Sequence, residues 1–358
     1  MDIHRRIVEL IDAGRRFAVA TVLESDGSTP RKAGVKAAID ETGQIWGTIG
    51  GGAVEAEAER RAVEACRSLR PAVFDLVLQG ARAEGSDPIC GGAMRVLIDP
   101  TAAKDRDCYA SAAQAVARRA RGVIVTTIQI AQETTVSARW CPSDDPDAAG
   151  LFPGYQAIHG CLERESPALV AGASPDAGAK MQALLEPVVP RPLLLIAGGG
   201  HIGQALARQA VLIGFDVTVL DDRPEFSDPA RFPESATTRC APVAESIASF
   251  PAARDTYIVI ATRGHRHDAE ALEACIHGPA AYIGMIGSTR KVALMRQSFL
   301  ESGIATEEEM GRVFAPIGLD IGAATAPEIA TSIAAQLVAV RRGSDGRGKP
   351  KAKGNSPG

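Results

Sequence analysis

Leu193-Leu-Leu-Ile-Ala-Gly-Gly-Gly-His-Ile-Gly203 is the stretch on which the reading of the fold turns. Its aliphatic run reads as a buried strand. Gly198, Gly200 and Gly203 then give the spacing G-x-G-x-x-G where a helix opens. That spacing alone is a weak signal. Here it follows an apolar strand, and an acidic pair, Asp221 and Asp222, ends the next apolar run roughly 20 residues on, which is the context of a dinucleotide-binding βαβ unit. In this reading Gly198 permits the tight turn, Gly200 lets backbone approach a pyrophosphate, and Gly203 lets helix pack on strand. The helix N-terminus aims N–H groups at the phosphates, and Asp221 accepts from ribose hydroxyls.

Working outward, the chain from Leu193 alternates strand and helix. Strands are predicted at Leu193–Ala197, Val217–Leu220, Tyr257–Ala261 and Ala281–Ile286, and helices at about His201–Ile213, Asp268–His277, Ser288–Ser302 and Pro327–Arg341. Such alternation argues a parallel, doubly wound sheet. The Tyr257–Ala261 strand runs into Thr262-Arg-Gly-His-Arg-His-Asp268, which places Arg263, His265, His267 and Asp268 at the carboxyl end of the sheet, where ligands bind in such folds. His265 and Asp268 are the candidate catalytic pair, His265 as acid or base and Asp268 beside it. Asp268 reads equally as a helix cap. Two histidines two residues apart are weak evidence for a metal without a third ligand.

The N-terminal half reads as mixed α/β. Ile3, Ile7, Leu10 and Ile11 share a helical face, and Phe17–Leu23 is a buried strand. Val35–Ile39 and Gln44–Ile49 form a hairpin. Gly50-Gly51-Gly52 then precedes a helix over about Ala53–Ser68, a candidate anion cradle because successive N–H groups can converge there. Further strands fall at Val73–Leu78, Met94–Ile98 and Val123–Ile130. The expected organisation is an N-terminal domain over 1–140, a Pro/Gly-rich linker with short ordered pieces over 141–192, a Rossmann-like domain over 193–341 and a basic disordered tail over 342–358.

Composition bounds the function. The chain has 358 residues, enough for two domains at roughly 150 residues each. Lys and Arg number 39 against 43 Asp and Glu, a net charge of −4, and aromatics are 4%. An acidic body poor in stacking platforms argues against a nucleic-acid partner. Seven cysteines, Cys66, Cys90, Cys108, Cys141, Cys161, Cys240 and Cys275, are widely spaced with no CxxC pair. That pattern fits reduced thiols in the cytoplasm and excludes a common zinc knuckle. The N-terminus lacks an apolar signal core and no run reaches the ~20 apolar residues of a membrane span, so no membrane association is expected.

The chain as a whole resembles the XdhC/CoxI family, the xanthine dehydrogenase accessory proteins. The resemblance is carried by Gly27-Ser-Thr-Pro-Arg31, Gly47-Thr-Ile-Gly-Gly-Gly-Ala-Val-Glu55, Cys90-Gly-Gly92, the Ile196–Gly203 loop, Gly284-Met-Ile-Gly-Ser-Thr-Arg-Lys291, and Pro316-Ile-Gly-Leu-Asp-Ile-Gly322 followed by Pro327-Glu-Ile-Ala330. It implies an XdhC/CoxI-type N-terminal domain joined to a Rossmann-like one. It also implies a chaperone that binds molybdenum cofactor, assists its sulfuration and hands it to an apo molybdenum hydroxylase of the xanthine dehydrogenase type. A separate cysteine desulfurase would supply the sulfur. Many relatives read Gly-Gly-Cys-x-Glu where this chain has Gly51-Gly52-Ala53-Val54-Glu55, so a thiolate role at that position is absent here.

Under this reading Arg31, Gly50, Gly51, Gly52 and Cys90 are candidate cofactor-binding residues in the first domain, with Lys32 beside Arg31. Gly198, Gly200, Gly203 and Asp221 are the candidates in the second, which would take NAD(P) or another nucleotide. Cys90 is a candidate molybdenum ligand, since soft metals favour sulfur, and reads equally as a small buried side chain beside a turn. The chain reads more as an accessory protein than as a stand-alone enzyme. Two alternatives stay open: an NAD(P)-dependent oxidoreductase using His265, and a non-catalytic nucleotide-sensing adaptor. A homodimer is compatible with each.

Overall fold

The structure is a computed structural model, describing residues 2–27, 32–78, 92–143, 152–173 and 179–347. It divides into two compact units, Met1–Pro190 and Arg191–Gly358.

The first unit runs α1 (Ile3–Asp12), β1 (Phe17–Asp26), β2 (Lys36–Asp40), β3 (Ile45–Gly47), α2 (Gly52–Ser68), β4 (Ala72–Leu78), β5 (Gly92–Asp99), α3 (Arg106–Ala117), β6 (Gly122–Ile130), β7 (Thr134–Pro142), α4 (Tyr155–Arg164), β8 (Ala168–Ala173) and β9 (Lys180–Val188). Its strands make two antiparallel sheets, ordered β3-β2-β1-β5-β4 and β7-β6-β9-β8. Side chains alternate across each strand. Ala18, Ala20 and Val22 of β1 pack against Ala58, Ala62 and Ala65, spaced along one face of α2. The opposite face turns to the second sheet: Phe17 and Val19 meet Ile124 and Val188, and Leu23 meets Ile128 and Leu184. α4 covers the far side of that sheet through Ile158, Cys161 and Leu162.

Between the sheets lies a charged pair. Lys36 Nζ of β2 is 2.7 Å from Glu186 Oε2 of β9, with the two side chains 2% and 7% exposed. Lys36 also donates to Thr21 Oγ1 (3.1 Å), and Thr126 Oγ1 donates to Glu186 (3.4 Å). Burial pushes the Glu186 carboxyl up, against the pull of Lys36.

This pair explains one departure from the sequence reading. The described residues of the expected linker, 141–143, 152–173 and 179–192, are not short ordered pieces between two domains. They supply α4, β8 and β9, and β9 pairs with both β6 and β8. A glutamate in the core and Pro187 obscured the alternation. Glu186 is tolerated because Lys36 meets it, and Pro187 because β8 pairs only as far as Leu185.

The second unit runs β10 (Leu193–Ala197), α5 (His201–Leu212), β11 (Asp216–Asp221), α6 (Pro224–Ser227), β12 (Thr237–Cys240), α7 (Val243–Ala248), β13 (Thr256–Ile260), α8 (His265–Glu273), β14 (Tyr282–Met285), α9 (Thr289–Glu301), α10 (Glu307–Arg312), β15 (Val313–Phe314) and α11 (Ala326–Arg341). All strands are parallel, in the order β12-β11-β10-β13-β14-β15. That is the doubly wound Rossmann arrangement, with its switch point between β10 and β13. Leu194 and Ile196 face α5 and α11 through Leu206, Ala210, Ile333 and Leu337, while Leu195 and Ala197 face α8 and α9 through Leu272, Met295 and Phe299. Strands buried on both faces lose polar alternation, which is why this sheet reads as apolar runs.

Of the expected tail, residues 342–347 fold back onto the unit. Gly343 takes φ +80° after α11, Gln336 Nε2 donates to Gly346 O at 2.8 Å, and the Arg347 guanidinium lies 5.0 Å from the Phe314 ring centre. Residues 348–358 lie outside the described residues.

This interior gives two expectations for stability. Glu186→Gln strands the Lys36 ammonium and is expected to cost about 3 kcal/mol or more in urea unfolding, whereas Lys36→Met with Glu186→Leu recovers most of that loss. The second concerns His4, whose ring stacks on Tyr109 at 6.3 Å and whose buried Nδ1 has no hydrogen-bond partner. Burial, then the nearby Lys36 charge, lowers its pKa from 6.5 to about 4. Between these values the unfolded chain binds a proton that the folded chain refuses, so stability is full above about pH 6.5 and falls as the pH drops through that window. Unfolding midpoints measured from pH 4 to 7 are expected to depend less on pH in His4→Phe.

Candidate functional site

The glycine turn after β10 is built by close contacts. Gly198 N donates to Leu220 O at 2.8 Å, and a Cβ on Gly198, at φ +121°, would lie 2.2 Å from Ala261 O. A Cβ on Gly203 would lie 1.9 Å from Gly198 O. Both glycines are thus required by the fold itself. Gly200 differs. Its backbone, φ −65° and ψ −170°, suits any residue, and a Cβ there would meet nothing within 4 Å. No internal contact calls for glycine at 200. Gly200 is the N-cap of α5 and contributes no side-chain cap, so the first-turn N–H groups carry the helix's partial positive charge to this spot.

Asp221, at the tip of β11, is 2% exposed. Its Oδ2 accepts from Gly199 N (2.8 Å) and Arg223 Nη2 (3.0 Å), and its Oδ1 from Arg223 N (3.1 Å) and Nε (2.9 Å). Burial alone would raise this carboxyl, but the bonds from Arg223 and Gly199 outweigh it and hold the pKa below its ordinary value. The Arg223 guanidinium lies 3.6 Å from the Phe226 ring centre. Asp222 accepts from Arg263 Nη2 at 2.9 Å.

Gly198, Asp221, Asp222, Arg223 and Arg263 line a cavity of about 350 Å³ together with Glu245, after β12, and Thr262, His267 and Glu270, after β13; Gly200 and Gly203 are not part of its lining. That volume is at the low end of small-molecule pockets, roughly 300–1,000 Å³. The structure therefore brings Gly198 and Asp221 to one cavity wall, at the carboxyl ends of β10 and β11. Sequence reasoning missed Arg223 and Glu245. Arg223, directly after the acidic pair, carried the available signal; nothing in sequence joins Glu245 to the site.

The other candidates of this unit separate. Asp268 is 2% exposed and accepts from Thr262 N (3.1 Å), Thr262 Oγ1 (2.6 Å) and Lys291 Nζ. It ties the loop after β13 to α8 and α9. His265 is exposed and lines a second cavity of about 260 Å³ with Ser288, Arg290, Lys291 and Leu294.

In the first unit, Gly50 and Gly51 precede α2 and Gly52 opens it, with φ of 139°, 73° and 59°. Its donors turn inward. Glu55 Oε2 accepts from Ile49 N and Gly51 N, each at 3.3 Å, and from Thr48 Oγ1 at 2.7 Å, while Gly50 N donates to Thr48 Oγ1. The loop thus cradles its own carboxylate. Arg31 and Cys90 lie outside the described residues. A cavity of about 600 Å³ is lined by residues close to them in sequence, among them Asp26, Ala33, Ala93 and Arg95. Burial pushes the thiols of Cys66 and Cys161 up to about 11 and those of Cys108 and Cys275 to about 12, far from thiolate formation at neutral pH. Among the described residues no group of three or more His, Cys, Asp and Glu side chains could hold a metal ion, and no helix is long and apolar enough to cross a membrane.

Fold and site together define an α/β protein whose Rossmann-like second unit carries a cavity at the carboxyl ends of its strands. The XdhC Rossmann domain model matches residues 194–337, and the XdhC and CoxI family model matches residues 10–77. The chain belongs to the XdhC and CoxI family. It is 22% identical over 341 residues to a protein of Bacillus subtilis (strain 168) named as a probable xanthine dehydrogenase subunit, covering 95% of this chain and 97% of that one. It is 24% identical over 353 residues to the molybdenum cofactor insertion chaperone PaoD of Escherichia coli (strain K12), covering 95% and 89%. Against the uncharacterized protein YqeB of the same organism identity is 28% over 97% of this chain, but the chain spans only 47% of that protein's length. A crystal structure at 2.80 Å resolution, described as a xanthine dehydrogenase from Bacillus halodurans, shares the fold with a TM-score of 0.71 at 21% identity, covering 99% of this chain and 98% of that one.

The two kinds of glycine make a direct test. Gly200→Val is expected to leave the unfolding midpoint nearly unchanged while abolishing nucleotide binding measured by calorimetry. Gly203→Ala is expected to destabilise the unit by several kcal/mol, because the added methyl meets backbone rather than a yielding side chain.

Proposed function

We propose that this chain is a cytoplasmic maturation chaperone that binds molybdenum cofactor, assists its sulfuration and inserts it into a molybdenum hydroxylase of the xanthine dehydrogenase type. The observation that carries this reading is the similarity along 95% of the chain to a protein named as a molybdenum cofactor insertion chaperone. The name of the Bacillus subtilis relative supports the class of partner. The cofactor, as cargo, is assigned to the first unit. Arg31 supplies charge to its phosphate and Cys90 a soft ligand to its metal. Because Glu55 fills the Gly50–Gly52 loop, phosphate binding there requires that carboxylate to swing out. The sulfur comes from a separate cysteine desulfurase. The second unit holds a nucleotide along the turn at Gly198, Gly200 and Gly203.

The test is anaerobic. The protein is mixed with released molybdenum cofactor, free ligand is removed, and bound molybdenum and oxidised pterin are quantified. Retention near one cofactor per chain, reduced several-fold in Cys90→Ala and Arg31→Ala, is expected. Absence of retained pterin on folded protein overturns the carrier role.

A further inference from the structure

We propose that the cavity lined by the first residue of α8 and the first turn of α9 is a binding site for a dianionic phosphate, with Arg290 as its clamp. The site is separate from the cavity at Gly198 and Asp221 and independent of nucleotide binding at the turn after β10.

β13 and β14 are parallel neighbours, so the helices that follow them both begin at the carboxyl edge of the sheet. The cavity of about 260 Å³ there is lined by His265, which opens α8, by Ser288, the N-cap of α9, by Arg290 and Lys291 of its first turn, and by Leu294 one turn on. Helix ends alone attract anions only weakly. Here side chains add to them. Arg290 is exposed and, among the described residues, has no ion pair or hydrogen-bond partner, and the same is true of the His265 ring. The Arg290 guanidinium can therefore grip two oxygens of one anion. Lys291 Nζ pairs with Asp268, whose side chain is 2% exposed, and an ammonium has further donors to offer. Ser288 Oγ accepts from Lys291 N at 3.3 Å, which leaves its own proton to donate.

The loop over residues 262–268 serves both cavities, and their charges are sorted to either one. Thr262, Arg263 and His267 line the first, where the carboxylates of Asp221, Asp222, Glu245 and Glu270 outnumber the arginines. His265 lines the second, whose lining carries Arg290 and Lys291 and no acid. Asp268 offsets the Lys291 charge, so the Arg290 charge stands uncompensated, with the His265 ring as a further donor. A phosphate monoester carries a charge of about −1.5 to −2 at neutral pH and three acceptor oxygens, enough to engage Arg290, Ser288 and Lys291 together. A carboxylate or a phosphodiester brings a single charge and fewer oxygens. Leu294, 56% exposed, supplies the apolar wall. The volume lies below the roughly 300–1,000 Å³ of pockets that enclose a whole small molecule, so the cavity seats the phosphate and the group bonded to it.

The experiment is titration of the full chain with inorganic phosphate, phenyl phosphate, diphenyl phosphate and benzoate, read from backbone amide shifts by NMR. It is repeated on Arg290→Ala and Arg290→Lys, and on Arg263→Ala as a control in the first cavity, with circular dichroism to verify folding. Phenyl phosphate is expected to shift the amides of His265, Thr289 and Arg290 and to bind at least about tenfold more tightly than benzoate or diphenyl phosphate. Arg290→Ala is expected to lose about tenfold, the scale of a hydrogen bond to a charged group. Arg290→Lys is expected to lose less, because it keeps the charge and gives up the planar fork, and Arg263→Ala nothing. Tighter binding of phenyl phosphate than of inorganic phosphate supports the site and identifies an ester resting on Leu294 as the source; equal binding supports it with free phosphate as the source. Shifts confined to the amides of residues 199–204 place the anion at the nucleotide turn and overturn the proposal. Unchanged affinity in folded Arg290→Ala, benzoate binding as tightly as phenyl phosphate, or no shift with either phosphate overturns it as well.

Discussion

The carboxylate of Asp221 anchors the carboxyl edge of the second unit's sheet. Through Gly199 N it fixes the turn that leaves β10, and through Arg223 it fixes the segment that leaves β11. A buried charge is stable only when hydrogen bonds replace the water it has lost. Here every replacement comes from the chain that must be shaped into a crevice. The same four bonds that stabilise the acid set the path of the loop and aim Gly200 outward. They also lay Arg223 across Phe226. Stability and the geometry of the site are therefore one arrangement, and the acid that anchors it is spent.

The first unit solves a related problem at the seam between its sheets. Lys36 and Glu186 come from strands that lie in different sheets, and each is compensated by the other and by a threonine. Such a pair contributes little net stability compared with an apolar pair of the same shape, yet it strongly penalises any packing that parts its members. It links β2 to β9, so the register of β9, with Leu184 and Val188 inward, is coupled to the hairpin that leads into the Gly50–Gly52 loop. There Glu55 repeats the theme, with a carboxylate drawing the loop's N–H groups toward it.

Much of the second unit was legible beforehand because its signals are local. Parallel strands buried on both faces are apolar runs, the helices between them have their own periodicity, and G-x-G-x-x-G sits at the one turn where they meet. Short elements such as β12, α7 and β15 were not legible, since a strand of a few residues held by its neighbours has no pattern of its own. The segment 141–192 was misjudged for a different reason. The segment read as a linker because it is rich in proline and glycine, whereas its β9 is held as a strand by pairing with β6 and β8 and by a glutamate whose partner lies far back along the chain, at Lys36.

By itself the sequence determined that this is an α/β protein with a Rossmann-like second unit, and it pointed to the turn at Gly198–Gly203 and the acidic pair at the tip of β11. Those facts depend on neighbours within a few turns of chain. Which acid remains available, which glycine is free of internal contact, and whether a glycine loop turns its donors outward or onto its own glutamate were decided only by the tertiary structure. A hydrogen-bonding group has a limited number of lone pairs and protons, and only folding reveals which of them the protein has already used.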